Sequence, residues 1–151
     1  MTRWARGEAD VERMIAAQEL QRIRRGAADG AGWSEKAALT LASAQHLADT
    51  DPHSALTLAY DAARLACMGV LARQALRPTT KGGHYAIQQA MRFQFGSAFE
   101  GFGTLRRRRN ELEYPEFPDE TVDRQEVDQA LASARSIIAA AGKLAEHLDI
   151  F

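Results

Sequence analysis

ALTLAYDAARLACMGVLARQAL, residues 55–76, is apolar on nearly every side when it is wound as an α-helix. Alanine and leucine favour helix formation, and apolar side chains such as Leu56, Leu65 and Val70 point in different directions around the helical wheel. A helix that is apolar all round belongs in the centre of a bundle. The stretch therefore predicts an all-α protein in which this segment forms the central helix.

Capping and turn signals divide the rest of the chain into further helices. Asp51 and Pro52 fit the cap and the first position of the central helix, and Pro78 keeps Arg77 out of helical geometry. No period-2 alternation typical of strands is evident. The other helices are expected over about 8–25, from an N-cap at Ser34 to 49, over 84–95, from a Ser97–Glu100 capping box to Tyr114, and over 122–148. This pattern predicts an up-down helical bundle of five or six helices.

Length, charge and cysteine content limit the class of protein. The 151 residues suit one domain, residues 1–151, with a helix in residues 1–30 loosely attached to the bundle. The net charge of −1 argues against a general nucleic-acid binder, although a local arginine patch could still hold an anion. Cys67 is the only cysteine, and neither a signal peptide nor a membrane span is expected. We therefore expect a cytoplasmic protein that does not contact membranes.

The motif TLRRRRNELEYPEFP, residues 104–118, contains four consecutive arginines. Arg109 shares the stripe of apolar residues that recur here at helical spacing: Phe102, Leu105 and Leu112. A cation that faces a core must be paired or must bind a ligand, because an unpaired buried charge is very costly. Two interpretations stay open. Arg109 forms an ion pair with Glu113 or another glutamate, or it contacts a phosphate, which suits the bidentate guanidinium fork.

His84 is the second candidate site residue, because it follows two glycines at the start of a predicted helix. It either caps and packs the turn, or it serves as an acid–base or phosphate-binding group near the arginine motif. The histidines lack a metal-binding spacing such as H-E-x-x-H, and TTKGG (residues 79–83) lacks the residue order of a P-loop. We therefore expect no metal and no cofactor.

The sequence LRRRRNELEY at the end of a late helix resembles the signature region of the HEPN superfamily of small α-helical domains. The resemblance covers residues 34–148, since the long apolar helix is followed by LRPTTKGGHYAI, which is similar to the Gly-rich turn and histidine of HEPN proteins. Many members of that superfamily are metal-independent endoribonucleases of toxin or anti-phage defence systems. The resemblance implies a HEPN-like bundle, a homodimer and RNA as the substrate.

The HEPN active motif is an arginine, commonly followed by a polar residue and then by a histidine. By position, these residues are Arg109, Asn110 and Tyr114, so a tyrosine stands where the histidine is expected. The resemblance implies catalytic roles for these three residues and phosphate or RNA contacts for others: Arg106, Arg107 and His84. Tyrosine, with an ordinary pKa of about 10, is a poor base at neutral pH. Whether the chain is an enzyme is therefore left open.

Two alternatives do not involve catalysis. In the first, the chain is a HEPN-like module that binds a nucleotide or a partner protein, such as an antitoxin or a nucleotidyltransferase-like protein. Arg109 and Glu113 would then form a structural ion pair. In the second, the chain is an unrelated α-bundle with arginines on its surface.

Overall fold

The computed structural model describes residues 3–24 and 30–151. Within these ranges the helices are α1 (Glu8–Ala16), α2 (Ala31–Leu47), α3 (Pro52–Arg73), α4 (Gly83–Phe95), α5 (Glu100–Glu113) and α6 (Arg124–Leu144). Two short strands, β1 (Leu20–Arg22) and β2 (Leu76–Pro78), pair antiparallel, and a 3-10 turn (Gly96–Phe99) joins α4 to α5. The predicted all-α helical bundle is confirmed.

Helix α3 is the central element, as its composition predicts. It packs along α2 and α6, and 13 of its 22 residues are buried. Asp51 caps it, because the Asp51 side chain accepts a hydrogen bond of 3.1 Å from the backbone N–H of Ser54. By length and composition this helix could also cross a membrane, but most of its apolar window is buried within the bundle. Cys67 is fully buried in it, and this burial raises the pKa of the thiol.

Four helices, α1, α2, α3 and α6, end earlier than the sequence predicts, and the two short strands were not predicted. Helix α1 stops at Ala16, because Gln18 adopts a positive φ of 61° and turns the chain into β1. Residue 25, the predicted end of this helix, lies outside the described residues. Helix α3 stops at Arg73, and Ala75, with a φ of 56°, leads into β2. Strands of only three residues are too short to show a period-2 alternation.

Three predicted helix starts are also corrected. Helix α2 begins at Ala31, so Ser34 lies inside the helix, where its hydroxyl donates to a backbone carbonyl. Helix α5 begins at Glu100 without the predicted capping box, because the preceding Gly96–Phe99 segment is a 3-10 turn. Helix α6 begins at Arg124, since the Asp123 side chain accepts a hydrogen bond of 2.8 Å from the backbone N–H of Glu126.

Residues 3–24, the described part of the segment expected to be loosely attached, contribute to the common core. Val11 and Leu20 are buried. The Trp4 ring packs on Phe95 with centroids 5.1 Å apart, and its indole N–H donates to the carbonyl of Gln94 at 3.0 Å. The pairing of β1 with β2 fixes this segment beside the end of α3.

Candidate functional site

The candidate site is built around Tyr60, a fully buried tyrosine of α3. Its ring stacks on Phe102 of α5, with ring centroids 5.4 Å apart. Its hydroxyl lies 2.7 Å from Nδ1 of His84, near the start of α4. The guanidinium carbon of Arg109, also on α5, lies 5.8 Å from the centroid of the Tyr60 ring. The fold thus brings together His84 and Arg109, and we call these two residues, with Tyr60 and Glu113, the Tyr60 cluster.

The turn of residues 79–83 positions His84 because it is fastened to the end of α1 and the residues that follow. The backbone N–H of Thr79 donates to the carbonyl of Glu19 at 3.0 Å, and Nζ of Lys81 donates to the carbonyl of Ala17 at 2.9 Å. Position 82 requires glycine, since a Cβ there would collide with the Glu19 carbonyl. The N-terminal segment therefore sets where the histidine lies.

Both members of the Tyr60–His84 hydrogen bond are uncharged at neutral pH. Burial, together with the nearby positive charges of Arg64 and Arg109, lowers the pKa of His84 below its usual value. Burial raises the pKa of the Tyr60 hydroxyl. If Nδ1 of His84 donates to Tyr60, Nε2 carries a free lone pair and can accept a proton; in the other tautomer Nε2 donates one. The half-buried histidine can therefore take part in proton transfer.

Arg109 lies at the border between core and solvent. Its side chain is 25% exposed and forms an ion pair with Glu113, one helical turn on. Its Nη1 also lies 3.5 Å from Oδ1 of Asn110, a weak hydrogen bond. The ion pair with Glu113, one of the two interpretations of the motif, is thus present. Because the side chain is partly exposed and the guanidinium has five N–H donors, Arg109 can also contact an anion.

The two arginines that precede Arg108 point to different surroundings. Nε of Arg106 donates to Oε1 of Gln88 at 2.7 Å, and its guanidinium carbon lies 5.2 Å from the centroid of the Tyr85 ring. Arg107 is exposed, and its Nη2 lies 3.5 Å from the hydroxyl of Thr104. Arg106 therefore lies beside the Tyr60 cluster, whereas Arg107 faces a neighbouring cleft.

Arg108 has a structural role that the sequence reasoning missed. It forms ion pairs with three carboxylates, and its Nη2 donates to the carbonyl of Thr121 at 3.1 Å. These carboxylates belong to Glu111 at 3.2 Å, Glu120 at 2.6 Å and Glu126. The arginine thereby joins α5 to the loop of residues 114–123 and to α6. Helical spacing could not reveal this network, because two of the partners lie 12 and 18 residues away in the sequence.

Tyr114 lies apart from the Tyr60 cluster. It is the C-cap of α5, where its backbone N–H donates to the carbonyl of Asn110 at 2.9 Å, and the residue is 78% exposed. Among the contacts of the described residues, none joins its side chain to Arg109 or His84. Of the predicted site residues, the fold therefore groups Arg109, Glu113 and His84, with Arg106 and Asn110 next to them.

Comparison with known proteins does not indicate a function, so a function has to be argued from the chemistry of the site. No protein-family model, no curated protein and no solved structure matches this chain. In residues 3–24 and 30–151, no group of three or more His, Cys, Asp and Glu side chains is arranged to hold a metal ion. The Tyr60 cluster offers a cation, a neutral imidazole and a phenol hydroxyl.

Proposed function

We propose that the chain is a HEPN-like, RNA-acting protein: a slow, metal-independent endoribonuclease of toxin or defence type that works as a cytoplasmic homodimer. The observation that supports this function best is the placement of neutral His84 and cationic Arg109 against the same buried tyrosine. A base and a phosphate-binding cation are two of the groups that RNA cleavage through the 2′-hydroxyl requires.

In the proposed reaction, His84 takes the role that the resemblance gives to Tyr114. Neutral His84 accepts the proton of a ribose 2′-hydroxyl, and the 2′-oxygen attacks the adjacent phosphorus. The bond from phosphorus to the 5′-oxygen breaks, and the leaving oxygen takes a proton from water, which leaves a 2′,3′-cyclic phosphate and a 5′-hydroxyl. Arg109 stabilises the negative charge of the transition state, with Asn110 and Arg106 orienting the phosphate. Without a positioned acid for the leaving group, turnover is slow.

Incubation of the purified protein with structured RNA in EDTA tests this function. We expect the wild-type protein to produce fragments ending in a 2′,3′-cyclic phosphate. His84→Ala and Arg109→Ala should each lower the rate by about 100-fold or more, since each removes a group that acts on the transition state. Tyr114→Phe should cleave like wild type. Arg24→Ala is the matched control, because Arg24 is an exposed arginine that borders a different cleft.

The outcomes separate the parts of the proposal. Full activity of His84→Ala with loss in Tyr114→Phe would return the catalytic role to the tyrosine. Equal activity in all variants would point to a contaminating nuclease and overturn the assignment. An inactive wild-type protein that is folded and dimeric would leave the non-catalytic alternative.

The Arg109–Glu113 ion pair favours that second candidate, a non-catalytic HEPN-like module for a nucleotide or for an antitoxin or nucleotidyltransferase-like partner. In it, the charge of Arg109 is already compensated by Glu113, and the exposed rings of Tyr114 and Phe117 supply the aromatic surface that protein interfaces favour. Glu113→Gln distinguishes the two. Release of Arg109 should strengthen RNA binding if the cluster binds phosphate, and should leave RNA binding unchanged in a purely structural pair.

A further inference from the structure

A second basic site lies next to the Tyr60 cluster, in a cleft of about 560 Å³. The cleft is formed by the second half of α4, the 3-10 turn and the first half of α5, and the N-terminal segment contributes Arg6. Among the described residues, its lining holds three arginines, Arg6, Arg92 and Arg107, and one acidic residue, Glu100, so positive charge is in excess by two. Its volume lies in the range of small-molecule binding sites. We call it the arginine cleft.

The charges of the three arginines of the arginine cleft are not offset by ion pairs in the described part of the chain. Within residues 3–24 and 30–151, none of them forms an ion pair with a carboxylate. The next two arginines of α5 behave differently, because Arg108 pairs with three glutamates and Arg109 pairs with Glu113. The cleft therefore carries an excess of positive charge that an added anion can compensate.

Two glycines make room for these cationic groups. A Cβ at Gly96, whose φ is +63°, would lie 2.7 Å from Nη2 of Arg6, so the guanidinium rests against bare backbone. A Cβ at Gly103 would lie 2.8 Å from Nε2 of Gln88 and 3.4 Å from Nη1 of Arg107. Arg6 thus lies close to the backbone of the 3-10 turn, and Gln88 and Arg107 lie close to the α5 backbone at Gly103.

Gln88 adds a neutral donor to this wall. Its Oε1 accepts from Arg106 at 2.7 Å, which assigns the other end of the amide as the NH₂ group. None of the hydrogen bonds of the described residues uses this NH₂ group of Gln88. The cleft therefore presents three guanidinium groups and an amide donor, which is a set suited to several phosphate oxygens.

We propose that the arginine cleft binds a small ligand that carries two adjacent phosphate groups. Three guanidinium groups without a carboxylate partner among the described residues match a diphosphate better than a single phosphate, because each can donate two hydrogen bonds to separate oxygens. Among the described lining residues the one aromatic side chain is Phe99, which is 4% exposed and offers no stacking surface for a base. Recognition therefore acts on the diphosphate, whether it is free pyrophosphate or part of a nucleotide.

The proposal does not rest on the proposed function. Gln88 separates the two sites, with its carbonyl oxygen toward Arg106 and its NH₂ group toward Gly103. The substitution His84→Ala, which should lower RNA cleavage, does not change the charge of the arginine cleft. Removal of Arg92 likewise does not change the Tyr60 cluster. Each site can therefore fail or succeed in experiments without the other.

Calorimetric titration with pyrophosphate at low ionic strength tests the arginine cleft. We expect wild-type protein to bind one pyrophosphate per chain, and Arg92→Ala and Arg107→Ala each to weaken binding by about tenfold or more, as for loss of a charge-assisted hydrogen bond. Arg24→Ala should bind like wild type. Arg92 and Arg107 are exposed, so the two variants should keep their fold, and circular dichroism checks this.

Gly103→Ala provides a variant that keeps every charge. The added methyl group displaces Gln88 and crowds Arg107 at the wall of the cleft, so pyrophosphate binding should weaken although the net charge is unchanged. Equal weakening by Gly142→Ala, whose Cβ would meet open space, would show that the effect is not local to the cleft and would contradict the proposal.

Further ligands identify the source of the diphosphate. If adenosine diphosphate binds as tightly as pyrophosphate and adenosine does not bind, the cleft recognises the diphosphate alone. Inorganic phosphate that binds as tightly as pyrophosphate overturns the two-phosphate assignment. An RNA oligonucleotide whose binding depends on Arg92 and Arg107, with no binding of pyrophosphate, overturns the proposal in favour of a strand-binding surface. Binding of pyrophosphate that is unchanged in Arg92→Ala and Arg107→Ala would also overturn it.

Discussion

Histidine is usually partly charged near neutral pH, but the fold partly buries His84 and favours its neutral form. The hydroxyl of Tyr60 lies 2.7 Å from its Nδ1, and Arg64 and Arg109 disfavour a positive charge on the ring. Asp61 and Glu113 act in the opposite direction, but burial and the arginines prevail, so the pKa is lowered. A neutral imidazole is the state that a general base requires.

The lowered pKa predicts how stability depends on pH. Below the ordinary histidine pKa of about 6.5, the unfolded chain takes up this proton more readily than the folded chain. The contribution of His84 to the free energy of unfolding is therefore complete above that pH and is lost as the pH falls toward the folded pKa. Urea unfolding of wild type and His84→Gln across this range measures it. Parallel pH profiles of the two proteins would contradict the lowered pKa.

At this scale the sequence predicted part of the site. The spacing of Phe102, Leu105 and Leu112 correctly indicated that Arg109 borders the core, and the double glycine drew attention to His84. The sequence did not indicate a site at Tyr60, because a single tyrosine in an apolar helix is interpreted as core packing until its neighbours are known. The contact between Tyr60 and His84 spans 24 residues of sequence and depends on how α3 and α4 pack.

Helix α5 is fixed at its C-terminal half by Arg108. This side chain is 21% exposed and lies among the carboxylates of Glu111, Glu120 and Glu126, whose hydrogen bonds raise the pKa of the guanidinium. Because the partners come from α5, the loop before α6 and α6 itself, the network holds these elements together. The neighbouring Arg109 lies on the same half of α5, with its guanidinium carbon 5.8 Å from the centroid of the Tyr60 ring.

Arg108→Ala should therefore destabilise the protein, whereas Arg107→Ala should not. Loss of a partly buried network of this kind costs about 1–2 kcal/mol. The exposed neighbour Arg107 forms no ion pair among the described residues, so its removal should change the free energy of unfolding by less than about 0.5 kcal/mol. Urea denaturation of the two variants measures both values. Equal stability of the two variants would show that the network contributes nothing.

The elements that the sequence failed to predict are the ones with the weakest local patterns. A continuous helix was expected over residues 8–25, yet a positive φ at Gln18 ends α1 and leads into β1. The pairing of β1 with β2 joins segments more than fifty residues apart. The stability of such a pair comes from tertiary contacts and not from propensity, so a local periodicity cannot reveal it.

Across the whole molecule, two buried glutamines connect the core to both ends of the described chain. Gln74 and Gln94 are fully buried and exchange hydrogen bonds of 2.6 and 3.1 Å between their amides. The carbonyl of Gln94 accepts from the Trp4 indole at 3.0 Å, and that of Gln74 accepts from the backbone N–H of Phe151 at 2.9 Å. Polar residues thus join the first and last parts of the fold.

Gln74→Leu should lower the free energy of unfolding by about 1–3 kcal/mol, because it leaves the Gln94 amide buried without its partner. Gln94→Leu should do the same, and the double variant should recover most of the loss, since both amides are then replaced by apolar groups of similar size. Urea unfolding of the four proteins provides the coupling energy. Additive losses in the double variant would contradict a dependence of each amide on the other.

The position of the lone thiol in the central helix has a practical consequence. Cys67 is fully buried, and its raised pKa keeps it protonated, so a thiol-specific dye cannot react with the closed protein. Labelling can proceed only while the bundle is open, and under fast reclosing its rate is set by the open population. Cys67 can therefore report transient opening of the bundle. Its labelling rate can be compared with and without an added polyanion, and no engineered probe is needed.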